Sequence, residues 1–447
     1  MFDSISLIFL FLSIVFTFST LVIYRCYRKK LRIFTGWYSY TQPFFVLQLL
    51  LLTYLGIYIA FFMKDFFPRL NDVSYESIAI FMLAITYSVF VLILFFILYF
   101  EITKKNNCTR YCSVRELFFA SKSVLTTKQL SYILFFIFCY ISYKYYFFYS
   151  KSPLFFLLSG DPLKAAESRY LIQTGVVSVD VKYLSKVVEI LGFYSVIYTF
   201  ILYKIFDKKV YLIYFLLFFV LACSNLVFDA QKAPVIIIVS CLFFVTIVID
   251  NKVRYFFYFT LLISFLVVLI SYLSSSDESF NFNVFLSVID RVLIGQNQGM
   301  YYIYDYLNVN YYDVFSWLSD DAFKPADKLV IKFMDFYAGN SNIVNVNTYF
   351  MGEAWYSMGW FGLILSPFII SFVFLLFLLI FDYLLCKNYL LYFPLAIYTA
   401  SIIPISRSFY QVISMKFILY VLIFGVLPIY LVSLLRQRDT ISSQKSI

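Results

Sequence analysis

Long apolar runs separated by short polar segments dominate the pattern along this chain. A helix needs about 20 residues to cross a hydrocarbon core of about 30 Å, and apolar runs of this order recur from one end of the sequence to the other. We therefore predict an all-α polytopic membrane protein with about eleven (11–12) transmembrane helices, near residues 4–24, 43–63, 77–99, 130–149, 184–203, 210–228, 234–249, 255–273, 358–382, 389–405 and 413–434.

Two longer polar segments interrupt this series and predict outer loops. The first covers residues 150–183, and the larger second one covers residues 274–357. Loops of this size between short connections usually carry function. No internal repeat divides the sequence, so we expect a single membrane domain over residues 1–447.

The first loop predicts a short helix at the membrane surface. Asp161 suits the N-cap and Pro162 suits the first helical position, and the segment ends near Gly175. The exposed face of this helix would present Lys164, Glu167 and Arg169.

The second loop contains the pattern of a half-buried helix. Apolar residues recur at intervals of three and four, at Phe285, Val288, Ile289 and Val292. Another stripe of the same predicted helix carries Arg291, Gly295, Gln298 and Tyr302. A guanidinium beside a glycine, with an amide about one turn later, suits an anionic, oxygen-rich ligand.

Composition and charge support the membrane prediction and orient the chain. Apolar residues make up 63% and charged residues 13%, whereas soluble proteins have roughly 45–50% and about 25%. The net charge is +10, and the excess of lysine and arginine lies in the predicted inner segments. The first of these segments contains Arg25, Arg28 and Lys29, directly after the first apolar run. This distribution follows the positive-inside rule. We expect an outer N-terminus, a cytoplasmic C-terminus, periplasmic large loops and no nucleic-acid partner.

Four cations on the predicted outer side are candidate phosphate ligands. They are Arg169, Lys232, Arg291 and Arg407. Lysine and arginine near helix ends also extend to lipid headgroups, so a lipid-contacting role stays open for each. Arg291 is the strongest candidate because polar neighbours share its stripe.

The chain has no histidine, so a general base must be another residue type. The outer carboxylates that suit a cavity at membrane level are Glu353, Asp229, Asp290 and Glu167. Glu353 lies where the large loop re-enters the membrane; the alternative is a carboxylate that complements the dipole of its own helix. Trp355 suits stacking on a sugar, although an aromatic belt at the headgroups explains it equally well.

Metal binding is not expected from the cysteine pattern. Among seven cysteines, Cys108 and Cys112 are close in sequence, but zinc sites need four ligands and usually include histidine or a second cysteine pair. We predict no metal and no other cofactor.

The sequence resembles the O-antigen polymerases, the membrane glycosyltransferases that assemble bacterial surface polysaccharide. The resemblance covers nearly the whole chain: the number of spans, the aromatic content and one large outer loop before the last helices. Its sharpest feature is the motif Gly352-Glu353-x5-Gly359-x-x-Gly362, together with Arg169 and Arg291 in the two outer loops.

The resemblance implies a GT-C-like fold in the bacterial inner membrane and a periplasmic active site. The implied reaction is inverting and metal-independent, and transfers a glycan from undecaprenyl pyrophosphate to the next lipid-linked repeat unit. A chain-length regulator and a flippase are the implied partners. Glu353 and Arg291 would be catalytic, and the implied substrate-binding residues are Arg169, Lys232, Arg407, Gln298, Asp229 and Trp355.

Three alternative functions remain open at this point. A flippase for the lipid-linked oligosaccharide would usually have twelve or more spans, repeats and short loops. An O-antigen ligase would carry a histidine where this chain has Asn347-Thr348. A transferase that uses a monophosphate carrier would usually show an acidic pair in the first outer loop, which residues 64–76 do not clearly provide.

Overall fold

The computed structural model of the protein describes residues 4–31, 33, 36–67, 70–103, 114–121, 125–173, 177–228, 233–252, 258, 289–295, 297–309, 349–405 and 409–433. Every regular element in these ranges is helical. Apart from two short 3₁₀ turns, Lys64–Phe66 and Tyr149–Lys151, they are in chain order α1 (Ser4–Leu31), α2 (Trp37–Phe62), α3 (Tyr75–Thr103), α4 (Val114–Ala120), α5 (Thr127–Phe148), α6 (Pro153–Leu158), α7 (Pro162–Gln173), α8 (Lys182–Phe206), α9 (Lys209–Phe228), α10 (Ala233–Asp250), α11 (Asp290–Ile294), α12 (Gln298–Tyr306), α13 (Tyr349–Lys387), α14 (Tyr389–Ile402), α15 (Phe409–Ile413) and α16 (Lys416–Ser433).

Eight of the described helices are long and apolar enough to cross a membrane: α1, α2, α3, α5, α8, α9, α13 and α16. The shorter apolar helices α10 and α14 coincide with two further predicted runs. The remaining run, 255–273, lies outside the described residues except for Tyr258. The prediction of an all-α protein with several spans is confirmed for the described ranges, whereas the count of eleven stays a prediction.

The chain divides into two compact units. The first comprises Met1–Arg110, Val253–Leu379 and Ile402–Lys416, and the second comprises Tyr111–Lys252, Ile380–Ser401 and Phe417–Ile447. In the first unit α1 packs along α3, and aromatic rings fill the core. Phe44 stacks on Phe374 with ring centroids 4.7 Å apart, and Tyr38 meets the edge of Phe96 at 5.2 Å.

Helix α2 changes its winding twice along its length. It begins as a tight turn over Trp37–Thr41, continues as a π-helix over Phe44–Leu55 and ends as a regular α-helix over Gly56–Phe62. Within the π-helix, the Thr53 hydroxyl donates to the carbonyl of Gln48 at 2.6 Å, five residues earlier. Most π-helical segments are single turns, and they occur frequently at functional sites.

The second unit is built on the pairing of α8 with α9. Asp207 ends α8 in the left-handed region at φ 49°, which lets the chain reverse within a short turn. Helix α5 begins with a capping box: Thr126 accepts from the Gln129 amide, and the Gln129 side chain accepts from the Thr126 amide. Both helix boundaries thus have a local sequence cause.

A buried lysine lies inside the second unit. Lys144 on α5 is only 2% exposed, and its Nζ lies 3.2 Å from Asp180 Oδ1. The same carboxylate accepts from the Tyr140 hydroxyl at 2.9 Å, and the ammonium lies 4.5 Å from the centre of the Phe228 ring. The positive charge of Lys144 is therefore compensated within the unit by a carboxylate and an aromatic face.

The helix predicted in the first loop is confirmed as α7, and its position at the membrane surface stays a prediction. It begins at Pro162, and Asp161 Oδ1 accepts from the Lys164 amide at 3.0 Å, as an N-cap should. Arg169 lies on this helix, and Glu167 and Arg169 are both exposed.

Candidate functional site

The glycine motif of the first unit forms a sharp bend in α13. Gly359 has φ 55° and ψ −138°, a backbone conformation that side-chain-bearing residues rarely adopt. A Cβ on Gly362 would overlap the carbonyl of Ala354, although eight residues along a straight helix lie about 12 Å apart. Helix α13 therefore folds back at Gly359 into a first arm, residues 349–358, and a second arm from residue 360 onwards.

The first arm of α13 is held by two neighbouring segments. The Phe350 amide donates to the Ile405 carbonyl at 3.2 Å, which joins the start of the arm to the turn before α15. On the side of α12, a Cβ on Gly352 would lie 3.0 Å from Met300 Cβ. The first glycine of the motif therefore allows α12 to approach closely, the second makes the bend and the third accommodates the folded arm.

Glu353 is buried on this arm at the start of α15. Its carboxylate is 2% exposed, and Oε2 accepts from the Phe409 amide at 2.8 Å. The first amides of a helix have no partner within the helix, so the carboxylate satisfies one of them. Phe409 follows Arg407 by two residues. The contact places Glu353 at the start of α15, a different helix from the one that the sequence alternative invoked.

Trp355 lies on the other side of the arm, because two residues rotate a helix by about 200°. Its ring is buried and lies 4.8 Å from the ring of Tyr304. The Trp360 ring meets it edge-on at 5.2 Å and is itself half exposed. Among the described residues, none accepts a hydrogen bond from Trp355 Nε1.

Two carboxylates near Tyr304 were not among the predicted site residues. Glu76 accepts from the Tyr304 hydroxyl at 3.0 Å, and Asp305 accepts from the Ser74 amide at 2.7 Å and the Ser74 hydroxyl at 2.6 Å. Burial raises the pKa of Asp305, while the hydrogen bonds from Ser74 act in the opposite direction. The partners lie 228 and 231 positions apart, and no local sequence signal links them.

The helix predicted around Arg291 is interrupted, which corrects the single-helix interpretation. Residues Asp290–Ile294 form the π-helical turn α11, and the Gly295 amide donates to the Asp290 carbonyl at 2.7 Å. A new helix, α12, starts at Gln298. Arg291, Gly295 and Gln298 therefore do not share the face of one helix. Gln298 is buried at the first position of α12.

Several predicted site residues are not brought together by the described structure. Arg291 belongs to α11, but its side chain lies outside the described part. Lys232, Asp229 and Arg407 also lie outside the described residues. The predicted convergence of four cations thus stays a prediction. Within the described ranges, no cluster of three or more histidine, cysteine or acidic side chains has the arrangement of a metal site.

The residues that the structure does bring together define one candidate site in the first unit. A buried carboxylate at Glu353 lies on one side of the arm and the aromatic surface of Trp355 and Tyr304 on the other, and α12, which begins with Gln298, packs closely against the arm at Gly352. A carboxylate can orient or deprotonate a hydroxyl, and aromatic rings can bind the apolar face of a sugar. Comparisons of the chain with protein-family models, curated proteins and solved structures found no match.

The bend in α13 predicts that a side chain at position 362 destabilises the protein. Gly362→Ala should lower the melting temperature of the detergent-solubilised protein by several degrees, because the new Cβ meets the Ala354 backbone, which cannot rotate away as a side chain can. Overpacking of this kind costs about 1–3 kcal/mol.

The matched control is Gly192→Ala on α8, where the new Cβ would meet Ala222 Cβ at an ordinary 3.7 Å. The melting temperature of each variant is measured by heating samples and recording the remaining folded protein by size-exclusion chromatography. Equal melting temperatures for the two would contradict the folded-back geometry of α13.

Proposed function

We propose that this protein is a polysaccharide polymerase of the bacterial inner membrane. It transfers a growing glycan from undecaprenyl pyrophosphate to a sugar hydroxyl on the next lipid-linked repeat unit, at the periplasmic face. The reaction is inverting and needs no metal ion. The observation that carries the proposal is the bent helix formed by the glycine motif, which buries Glu353 against the backbone amide of Phe409.

The chemistry of this transfer determines which kinds of side chain the active site requires. Pyrophosphate is an activated leaving group, so the protein must offset its developing charge and orient two lipid-linked sugars. Arg291 supplies positive charge for the pyrophosphate in this proposal, with Arg407 as a supporting cation. Glu353 orients the attacking hydroxyl or accepts its proton. The proton leaves the acceptor hydroxyl as the new glycosidic bond forms and the bond to pyrophosphate breaks.

We assign sugar binding to the side of the first arm of α13 that lies opposite Glu353. Trp355 has a buried indole N–H without an acceptor among the described residues, and buried donors usually have one. A sugar oxygen would satisfy this donor, and Gln298 would bind further substrate oxygens. The roles of Arg169, Lys232 and Asp229 rest on their predicted outer position and on the resemblance, and the partnership with a chain-length regulator and a flippase rests on the resemblance alone.

The glycan ladder of a deletion strain tests the proposed activity against its alternatives. Loss of a polymerase leaves a single repeat unit on the lipid A core, because ligation continues without elongation. Loss of a ligase or of a flippase leaves no repeat unit there. A core without any repeat unit in the deletion strain would exclude the polymerase function.

Substitutions at Glu353 distinguish a catalytic role of this residue from a role in folding. Glu353→Gln keeps an oxygen that can accept from the Phe409 amide, so we expect wild-type expression and a melting temperature within a few degrees of the wild type. It removes the carboxylate charge, and the ladder should collapse to one repeat unit. Glu353→Leu should also unfold more readily, because an unsatisfied buried amide costs about 1–3 kcal/mol. Full-length ladders from the glutamine variant would restrict Glu353 to its structural role.

Arg291 should act through the geometry of its guanidinium group. Two parallel N–H bonds to a pyrophosphate need this planar fork, and lysine offers only a point charge. Arg291→Lys should therefore lose most elongation, and Arg291→Ala essentially all of it. A lipid-contacting arginine would tolerate lysine, because both side chains extend to the headgroups.

The Arg291 variants are compared in the complemented deletion strain at matched protein levels. Arg115→Ala is the control, since Arg115 is an exposed arginine on α4 in the second unit, and it should leave the ladder unchanged. Wild-type ladders from Arg291→Lys would show that the planar guanidinium group is not needed for elongation.

A further inference from the structure

Helix α2 and the turn α11 are in very close contact in the first unit. A Cβ on Gly56 would overlap the Leu293 carbonyl of α11 and would lie 3.0 Å from Asn297 Nδ2. Glycine is therefore required at position 56 for the backbone of α11 to lie directly on α2. This contact occurs at the point where the π-helix of α2 gives way to a regular α-helix.

Asn297 supplies the polar part of the same contact. Its side chain is 1% exposed, and Nδ2 donates to the carbonyls of Leu52 at 3.1 Å and Thr53 at 3.4 Å. A change of helix winding disturbs the regular pairing of backbone carbonyls, and an unpaired carbonyl inside a span is costly. A carboxamide has an NH₂ group that donates two hydrogen bonds, whereas an ionised carboxylate donates none.

The connection from Asn297 back to Arg291 is short and internally bonded. The Asn297 amide donates to the Ile294 carbonyl at 3.0 Å, and the Gly295 amide closes α11 onto Asp290 at 2.7 Å. Ile294 is fully buried. Fixing Leu293 and Asn297 against α2 therefore fixes the backbone of α11 on which Arg291 lies.

We propose that Gly56 and Asn297 form a clamp that positions Arg291 for pyrophosphate, which makes Asn297 a positioning residue. The inference rests on the proposed function, because it needs Arg291 to bind the pyrophosphate of the substrate. Displacement of a binding group by about 1 Å costs on the order of 100-fold in an oriented reaction. Loss of the clamp should thus act through Arg291 and not only through stability.

A double-mutant cycle on purified protein tests the clamp. The probe is undecaprenyl pyrophosphate, and its dissociation constant is measured by thermophoresis for the wild type, Asn297→Leu, Arg291→Ala and the double variant. We expect Asn297→Leu to weaken binding by about 10- to 100-fold in the wild-type background, the range for the loss of hydrogen bonds to a charged group. In the Arg291→Ala background the same substitution should weaken binding by less than about threefold, because residues that act together are not additive.

The outcomes separate the clamp from the proposed function. Equal losses from Asn297→Leu in both backgrounds would overturn the clamp and leave Arg291 as a ligand. Wild-type binding by Arg291→Ala would overturn the pyrophosphate role of Arg291 in the proposed function, and the clamp with it.

A second variant keeps the test valid if Asn297→Leu does not fold. Gly56→Ala pushes the Leu293 carbonyl away from α2 and should give the same dependence on Arg291. Gly192→Ala, which introduces an ordinary contact, is its matched control. Identical binding by Gly56→Ala and Gly192→Ala would overturn the clamp.

Discussion

Backbone groups that are released where a helix departs from regular winding must find partners inside the protein, because the membrane interior offers no water. The first unit meets this constraint repeatedly. The Leu52 carbonyl is paired with the Asn297 carboxamide, the Phe409 amide with the Glu353 carboxylate and the Ile405 carbonyl with the Phe350 amide. Each irregular point in the unit thereby fixes a side chain or a segment in place.

This constraint explains why polar residues of the candidate site have structural partners as well. Glu353 and Asn297 are both buried and both bind backbone groups of another segment. A side chain held in this way has little conformational freedom left to lose when a substrate binds. A preorganised carboxylate is favourable for catalysis because orientation is established before the reaction starts. Substitutions at such positions therefore need a readout that distinguishes folding from activity.

The all-helical class was predictable from the sequence because the hydropathy of a membrane span reflects the lipid hydrocarbon that surrounds it. Eight long helices and two shorter ones coincide with predicted apolar runs, and Asp161 with Pro162 correctly marked the start of α7. The sharp bend of α13 was not predicted: the apolar run was expected to begin at residue 358, and residues 349–357, which form the first arm of the helix, were assigned to the large outer loop. Gly359 and Gly362 were recognised only as a motif.

The candidate site was predictable only in part. Glu353 and Trp355 were identified, but the contacts of Tyr304 with Glu76 and of Ser74 with Asp305 join distant segments of the sequence. The stripe through Arg291 and Gln298 assumed regular winding of about 100° per residue. The π-helical turn α11 and the break before α12 invalidate that periodicity.

The buried lysine of α5 has a consequence for how the chain enters the membrane. A lysine within a span is costly to insert unless it is paired, and Lys144 lies near the end of the least hydrophobic of the eight long helices. Its compensating carboxylate, Asp180, is synthesised 36 residues later, as the difference of the two residue numbers gives. We therefore expect α5 to insert less readily on its own than it does once Asp180 has been synthesised and can pair with Lys144. Insertion of this part of the chain is thus expected to be cooperative, with α5 released into lipid together with the start of α8.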